Sequence, residues 1–287
     1  HRPRRMHMTS SNDASESTSA RPGDASIGGP SIGGPSVEDA STGDAWPELR
    51  VLSSSIDDAG AAVQVQTETY ADEQVGTWRT WLSTEEHRCL QSFGSEKRRR
   101  EFMVGRAAAR QLIGHCLDLA PSEVSLAVAD DGAVDVRGGD LHLSIAHSGP
   151  HAVAVAAPHP VGVDLEAVVE RDRSLIRFLL HPDERERVMQ LFPYDTVPTI
   201  VLLWTLKESV LKARRSGFRL SPKKLRLDLD DVDGSLSSPP ASGRVTIRVE
   251  GGTSWRVGYT SVLGDAAAPS SDPEPSAVYW SALAVPA

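Results

Sequence analysis

The order of helix and strand patterns predicts an α+β fold in which each half of the chain has helices feeding a small sheet. Two observations carry this. A long helical pattern from Glu96 to Leu117 is followed by short alternating strands between Val124 and Ala156. A group of helices between Asp172 and Gly217 is followed by a second set of strands reaching Val285. With 287 residues, the chain has length for one large domain or two ordinary ones.

The elements follow in order. From Thr9 to about Asp44 the composition is Ser, Gly, Ala, Pro and Asp, with IGGPS in tandem from Ile27 to Ser36. Such a segment cannot bury enough apolar surface to offset its ordering entropy, so residues 1–45 read as a disordered tail without chemistry. Structure is expected from Trp46, with a first strand through Val63, Val65, Thr67 and Thr69. Ser83-Thr84-Glu85-Glu86 is a capping box that starts a helix ending near Phe93. The helix from Glu96 to Leu117 has Phe102, Ala109, Leu112, Ile113 and Cys116 on its apolar face. Strands are expected at Val124–Ala129, Val134–Val136, Leu141–Ile145 and Ala152–Ala156, with an Asp-Asp-Gly turn at 130–132. Helices follow at Asp172–Leu180 and Pro182–Leu191, the latter with proline at its first position. Another begins near Pro198, and strands close the chain at Lys224–Asp230, Arg244–Glu250, Trp255–Thr260 and Ala277–Val285.

The formal net charge of -9 disfavours a general nucleic-acid binder. Two cysteines, Cys89 and Cys116, are too few for a disulfide framework and have no zinc-type spacing, which suits a reducing cytoplasm. No apolar run approaches the ~20 residues that span a bilayer, so no membrane role is expected. The opening HRPRRMHM leads into Ser, Asn, Asp and Glu rather than an apolar core, unlike a secretion signal; Met6 and Met8 are both candidate starts.

Two segments carry chemistry. In VGVDLE, Asp164 and Glu166 are two apart in an alternating run, so both carboxylates leave one face of a strand and can share a cation. In WTLKESVLK, Trp204, Glu208 and Lys212 repeat every four residues on one helical stripe, with Lys207 beside it. Three carboxylates with two lysines suit Mg²⁺ holding a phosphate ester, since Mg²⁺ takes carboxylates, waters and phosphate oxygens. The bland alternatives are an exposed Glu208–Lys212 helix pair and two polar residues ending a strand.

These segments resemble the signatures of the 4'-phosphopantetheinyl transferases of the Sfp type: (V/I)G(V/I)D with Glu two on, then (F/W)xxKE with a downstream Lys. The resemblance runs from Leu82 to Gly217. It implies a pseudo-dimer of two similar subdomains, here 46–158 and 159–287, with the active site and coenzyme A in the cleft between them; no internal sequence repeat is visible. It also implies Mg²⁺-dependent transfer of 4'-phosphopantetheine from coenzyme A to the serine of an acyl- or peptidyl-carrier protein by a cytoplasmic monomer. Asp164, Glu166 and Glu208 would bind Mg²⁺, Lys207 and Lys212 would offset phosphate charge, and Glu208 would serve as base.

By the same resemblance Lys97, Arg98, Arg99, Arg100 and Arg106 line the phosphate path, His147 meets the 3'-phosphate, and Ser148 falls in register beside it. A run of four cations is also more easily tolerated if an anion screens it. Asp183 or Glu184 matches a further acid. Two departures bear on nucleotide binding: Ala146 replaces the usual serine before the histidine, and Gly132 is followed by Ala133 and Val134 where GKP is usual. Competing readings are a non-catalytic binding module, disfavoured by the presence of all three acids, and a magnesium-dependent phosphodiesterase.

Overall fold

A computed structural model describes residues 63–191, 197–229, 239–263 and 277–287; the expected tail at 1–45 and the start near Trp46 lie outside them. In the first half, β1 (Gln64–Thr69) precedes α1 (Val75–Trp81), α2 (Thr84–Ser92) and α3 (Glu96–Leu117). The hairpin β2 (Leu126–Val128) and β3 (Val134–Val136) follows, then β4 (His142–Ser148) and β5 (His151–Ala157), with an antiparallel sheet ordered β1-β5-β4. The predicted capping box is formed: the Glu86 N–H donates to Ser83 Oγ at 3.2 Å and the Ser83 N–H to Glu86 Oε2 at 3.0 Å. Helix α1 was not predicted. Apart from Arg79 its VGTWRTW sequence has weak helix formers, and the helix is fixed by burial of Trp78 beneath α3.

In the second half, β6 (Gly162–Ala167) leads to α4 (Ser174–Leu179), α5 (Pro182–Leu191) and α6 (Val197–Ala213). Strands β7 (Leu225–Asp228), β8 (Ser242–Val249), β9 (Ser254–Leu263) and β10 (Val278–Pro286) complete an antiparallel sheet ordered β6-β10-β9-β8-β7. Helices and antiparallel sheets are therefore combined as the sequence predicts; the Val134–Val136 strand has its expected limits and the other strands differ by one to a few residues.

Side-chain alternation makes the layers. Along β5, Ala152, Ala154 and Ala156 face α3, while Val153, Val155 and Ala157 join Val163 and Leu165 of β6 and Leu283 and Val285 of β10 in a shared core between the sheets. On the far side, Trp280, Ala282 and Ala284 of β10 pack under α6. Small residues beneath each helix allow close approach. The burial of α3 is broader than its predicted apolar face: every residue from Met103 to Arg110 is buried, because the helix has the sheet below and α1 and α2 beside it.

Strands β4 and β6 are joined through side chains. The Val163 N–H donates to Ser144 Oγ at 3.1 Å and the Ala167 N–H to Ser148 Oγ at 3.0 Å, so two serines four apart cover the edge of β6. The turn from β4 to β5 is only Gly149-Pro150, and Gly149 takes a φ of +59°, as such a two-residue hairpin requires.

Candidate functional site

Helix α6 lies antiparallel along β6. Four helical residues rise about 6.0 Å and two strand residues about 6.6 Å, so a stripe of every fourth residue on one stays in step with every second residue on the other. Trp204 accordingly meets Glu166 and Glu208 falls beside Asp164, while the long Lys212 side chain reaches back one turn to Asp164. Gly162 lies under Ser209 and Ala213, where a Cβ would stand 2.0 Å from the Ser209 carbonyl oxygen. The glycine and the two acids of VGVDLE thus work as one surface, the glycine admitting the helix backbone and the acids facing its polar stripe.

Each acid has a different environment. Asp164, 4% exposed, accepts from Lys212 Nζ through Oδ1 at 2.8 Å, and the same ammonium donates to the Ile145 carbonyl of β4 at 3.4 Å. Glu166 accepts from the Trp204 indole at 3.1 Å and from Arg171 at 2.8 Å; burial and then the Asp164 charge push its pKa up. Glu208 has no ion pair among the described residues, and burial, reinforced by Asp164, pushes its pKa up to about 7.

Asp164 Oδ2 and Glu208 Oε1 are both buried without a hydrogen-bond partner. Orphaned carboxylate oxygens are costly, and a pair of hard anionic oxygens on one seam fits a divalent cation such as Mg²⁺. Among the described residues, no three His, Cys, Asp or Glu side chains stand as a ready metal cage. Glu166 has instead turned onto Trp204 and Arg171.

His147 stands at the edge of this seam. Its ring lies against Gly105 of α3, and burial pushes its pKa down, with the Glu101 carboxylate opposing and the Lys212 ammonium adding to the shift. Ser148 does not face open space; its hydroxyl holds β6. Ala146 lies on the same strand face as Ser144 and Ser148, 1% exposed in the core between the sheets. A hydroxyl at 146 would point into that core.

Two predicted cations sit elsewhere. Lys207 is fully buried, and its ammonium donates to Glu184 Oε2 at 2.8 Å and to the carbonyls of Leu179 at 2.9 Å and Pro222 at 3.2 Å. All three donors are committed, so Lys207 faces Glu184 here rather than the seam. Glu184 is its partner and also accepts the Leu227 N–H at 2.7 Å, which accounts for an acid at this position without a place among the seam carboxylates. Arg106, 8% exposed, pairs with Glu86 at 2.9 Å and stacks on Phe102, so it too is withdrawn from an open phosphate path. Glu86 therefore caps α2 and, through Arg106 and Arg110, ties it to α3.

The basic run is partly neutralised by its own helix. Arg99 and Arg100 pair with Glu96 at 3.3 and 3.6 Å, and Lys97 with Glu101 at 3.8 Å. Arg98 alone in the run has no ion pair among the described residues. An open cavity of about 620 Å³ lies along β7 rather than at the seam, lined in part by Lys223, Lys224, Arg226 and Arg248. Three of these cations are paired with Glu250, Asp183 and Asp228.

Residues 160–261 match the 4'-phosphopantetheinyl transferase superfamily, a span holding β6, α6 and the whole acidic seam. The chain is 28% identical over 165 residues to the 4'-phosphopantetheinyl transferase of Bacillus subtilis, covering 53% of this chain and 73% of that protein. The matched span and the relatives named here are all of the 4'-phosphopantetheinyl transferase kind. It is 23% identical over 183 residues to the 4'-phosphopantetheinyl transferase psf-1 of Bacillus pumilus, covering 62% of this chain and 78% of that protein. The gsp transferase of Aneurinibacillus migulanus is 28% identical over 108 residues, 38% of this chain and 46% of that protein.

The relatives to which the chain is similar are transferases, and the chain is an enzyme of that kind. Sequence reasoning missed Arg171 as a partner of Glu166, and took Trp204 only as a stripe residue rather than a donor to it. The tryptophan was visible in the signature, but the arginine follows β6 with no periodic signal. Among the described residues no helix is long and apolar enough to cross a membrane, and Cys89 and Cys116 are free thiols.

Proposed function

We propose that this enzyme transfers 4'-phosphopantetheine from coenzyme A to the serine hydroxyl of an acyl- or peptidyl-carrier protein with Mg²⁺, releasing adenosine 3',5'-bisphosphate, as a cytoplasmic monomer. The observation that carries the reading is the seam itself: Asp164, Glu166, Glu208 and Lys212 meet between β6 and α6, with Asp164 Oδ2 and Glu208 Oε1 buried and unpartnered.

Asp164, Glu166 and Glu208 would hold Mg²⁺, which when bound supplies neutralisation of pyrophosphate charge. The serine oxygen forms its bond to the β-phosphorus while the bond from that phosphorus to the bridging oxygen breaks, and the bridging oxygen leaves with the nucleotide. Glu208, directly or through a water, would take the serine proton. Lys212, released from Asp164, offsets charge on the phosphates. Positioning and charge do most of the work in such a step.

Coenzyme A would lie in the cleft between 46–158 and 159–287, with His147 toward the 3'-phosphate and Arg98, flanked by Lys97, Arg99 and Arg100, on the phosphate path. The pseudo-dimer reading is supported by like construction: α3 lies over the alanines of β5 as α6 lies over those of β10.

The test is the intact mass of apo carrier proteins incubated with coenzyme A, Mg²⁺ and the enzyme. A gain of one phosphopantetheinyl group is expected, lost in Asp164→Ala and Glu208→Gln and on chelation. Free phosphopantetheine formed without a carrier would favour the phosphodiesterase, and substantial activity in Asp164→Ala would remove the metal site.

A further inference from the structure

The charges on the seam are compensated from within. Lys212 sits on Asp164, and Arg171 on Glu166, while Glu208 has no ion-pair partner among the described residues. The two resident cations differ in kind. Lys212 belongs to the helix stripe and also donates to the Ile145 carbonyl of β4. Arg171 lies five residues beyond Glu166 in the connection between β6 and α4, with its side chain 38% exposed.

Both oxygens of Glu166 carry a donor. Oε1 accepts the indole N–H of Trp204, a neutral donor fixed in α6, and Oε2 accepts the Arg171 guanidinium at 2.8 Å. A divalent cation needs a carboxylate oxygen with a lone pair directed at it, and it repels a guanidinium already in place. Asp164 Oδ2 and Glu208 Oε1 carry no hydrogen bond, whereas Glu166 already holds a cation on Oε2.

We propose that Arg171 is a positioning residue, a resident counter-cation that holds Glu166 turned outward in the metal-free enzyme and must be displaced before Glu166 can join a divalent cation. Arg171 thereby sets the metal affinity of the seam. The proposal rests on the metal reading given above, and it makes Arg171 antagonistic to metal binding, where a merely structural arginine would support it.

The experiment is Mn²⁺ binding by the purified full chain, read as loss of the free-ion electron paramagnetic resonance signal, with and without coenzyme A. An exposed charge pair of this type is worth up to ~1 kcal/mol, so Arg171→Gln is expected to tighten Mn²⁺ binding about three- to fivefold. Arg177→Gln removes an exposed cation of α4 that has no ion pair with Glu166, and should leave binding unchanged. In a Glu166→Gln background the effect of Arg171→Gln should vanish, which separates a specific pair from a change in overall charge. Unchanged or weaker binding in Arg171→Gln, with wild type binding normally, overturns the proposal and leaves the metal reading standing. No Mn²⁺ bound by wild type in either condition removes both.

Discussion

Gly162 and Ser209 meet backbone to backbone. A Cβ at Gly162 would lie 2.0 Å from the Ser209 carbonyl oxygen and 2.5 Å from the Ala213 nitrogen. Neither atom belongs to a side chain that could rotate away. This contact fixes how closely α6 approaches β6, and with it the spacing of Lys212 from Asp164 and of Trp204 from Glu166.

Gly162→Ala should therefore force the helix off the strand. Overpacking of this kind costs about 1–3 kcal/mol, and contact with rigid backbone puts this position at the upper end. Urea unfolding should show the loss, and transfer activity should fall further than stability because the seam is misaligned. A Gly162→Ala enzyme with wild-type midpoint and turnover would contradict the close contact.

Lys207 gives a test in which position and motif disagree. Breaking a buried ion pair by removing one partner costs about 3–5 kcal/mol, so Lys207→Met should destabilise strongly. Adding Glu184→Gln should recover part of that loss, since the carboxylate left behind accepts the ammonium at 2.8 Å in the wild type. Whatever folded enzyme remains should keep its Michaelis constant for coenzyme A. A large rise in that constant with stability intact would return Lys207 to the phosphates.

Glu208 predicts a pH dependence of the metal-free protein. Its pKa is raised from 4.5 to about 7 by burial and by Asp164, so the folded state holds this proton more tightly than the unfolded chain. Folded protein then binds more protons between those values, and this group's contribution to stability declines as pH rises through the window and is level above it. In chelator, the difference in unfolding midpoint between Glu208→Gln and wild type should grow in favour of the variant across that range. Parallel profiles would remove the shift.

Arg215 links the end of α6 to the β2–β3 hairpin. Its guanidinium bonds Asp131 at 2.9 and 3.1 Å and Asp135 at 2.7 and 3.3 Å, and its backbone takes a φ of +54°, where glycine is usual. Arg215→Ala and Arg215→Gly should both speed amide exchange in the hairpin, as should Asp131→Asn with Asp135→Asn. The glycine variant should melt at a higher temperature than the alanine variant, because only glycine relaxes the left-handed backbone. Unchanged exchange in Arg215→Ala would show the clamp to be idle.

The sequence by itself determined what depends on neighbours along the chain. Alternation in VGVDLE puts Gly162, Asp164 and Glu166 on one strand face, the four-residue repeat puts Trp204, Glu208 and Lys212 on one helix face, and Ser83 with Glu86 marks a helix start. Local periodicity decides each of these. Only the tertiary structure decided which charges face the seam. Lys207 and Glu208 are adjacent in the sequence, yet the 100° step of a helix sends one into a buried pair with Glu184 and the other toward Asp164. Arg106 and Arg110 look like a continuation of the basic run, but Glu86 on another helix claims them. Arg171 carries no pattern at all and acquires its partner from the path of the chain after β6. Pairings across such distances depend on how layers pack, because a charge settles on the nearest compatible partner in space, and sequence order does not record that distance.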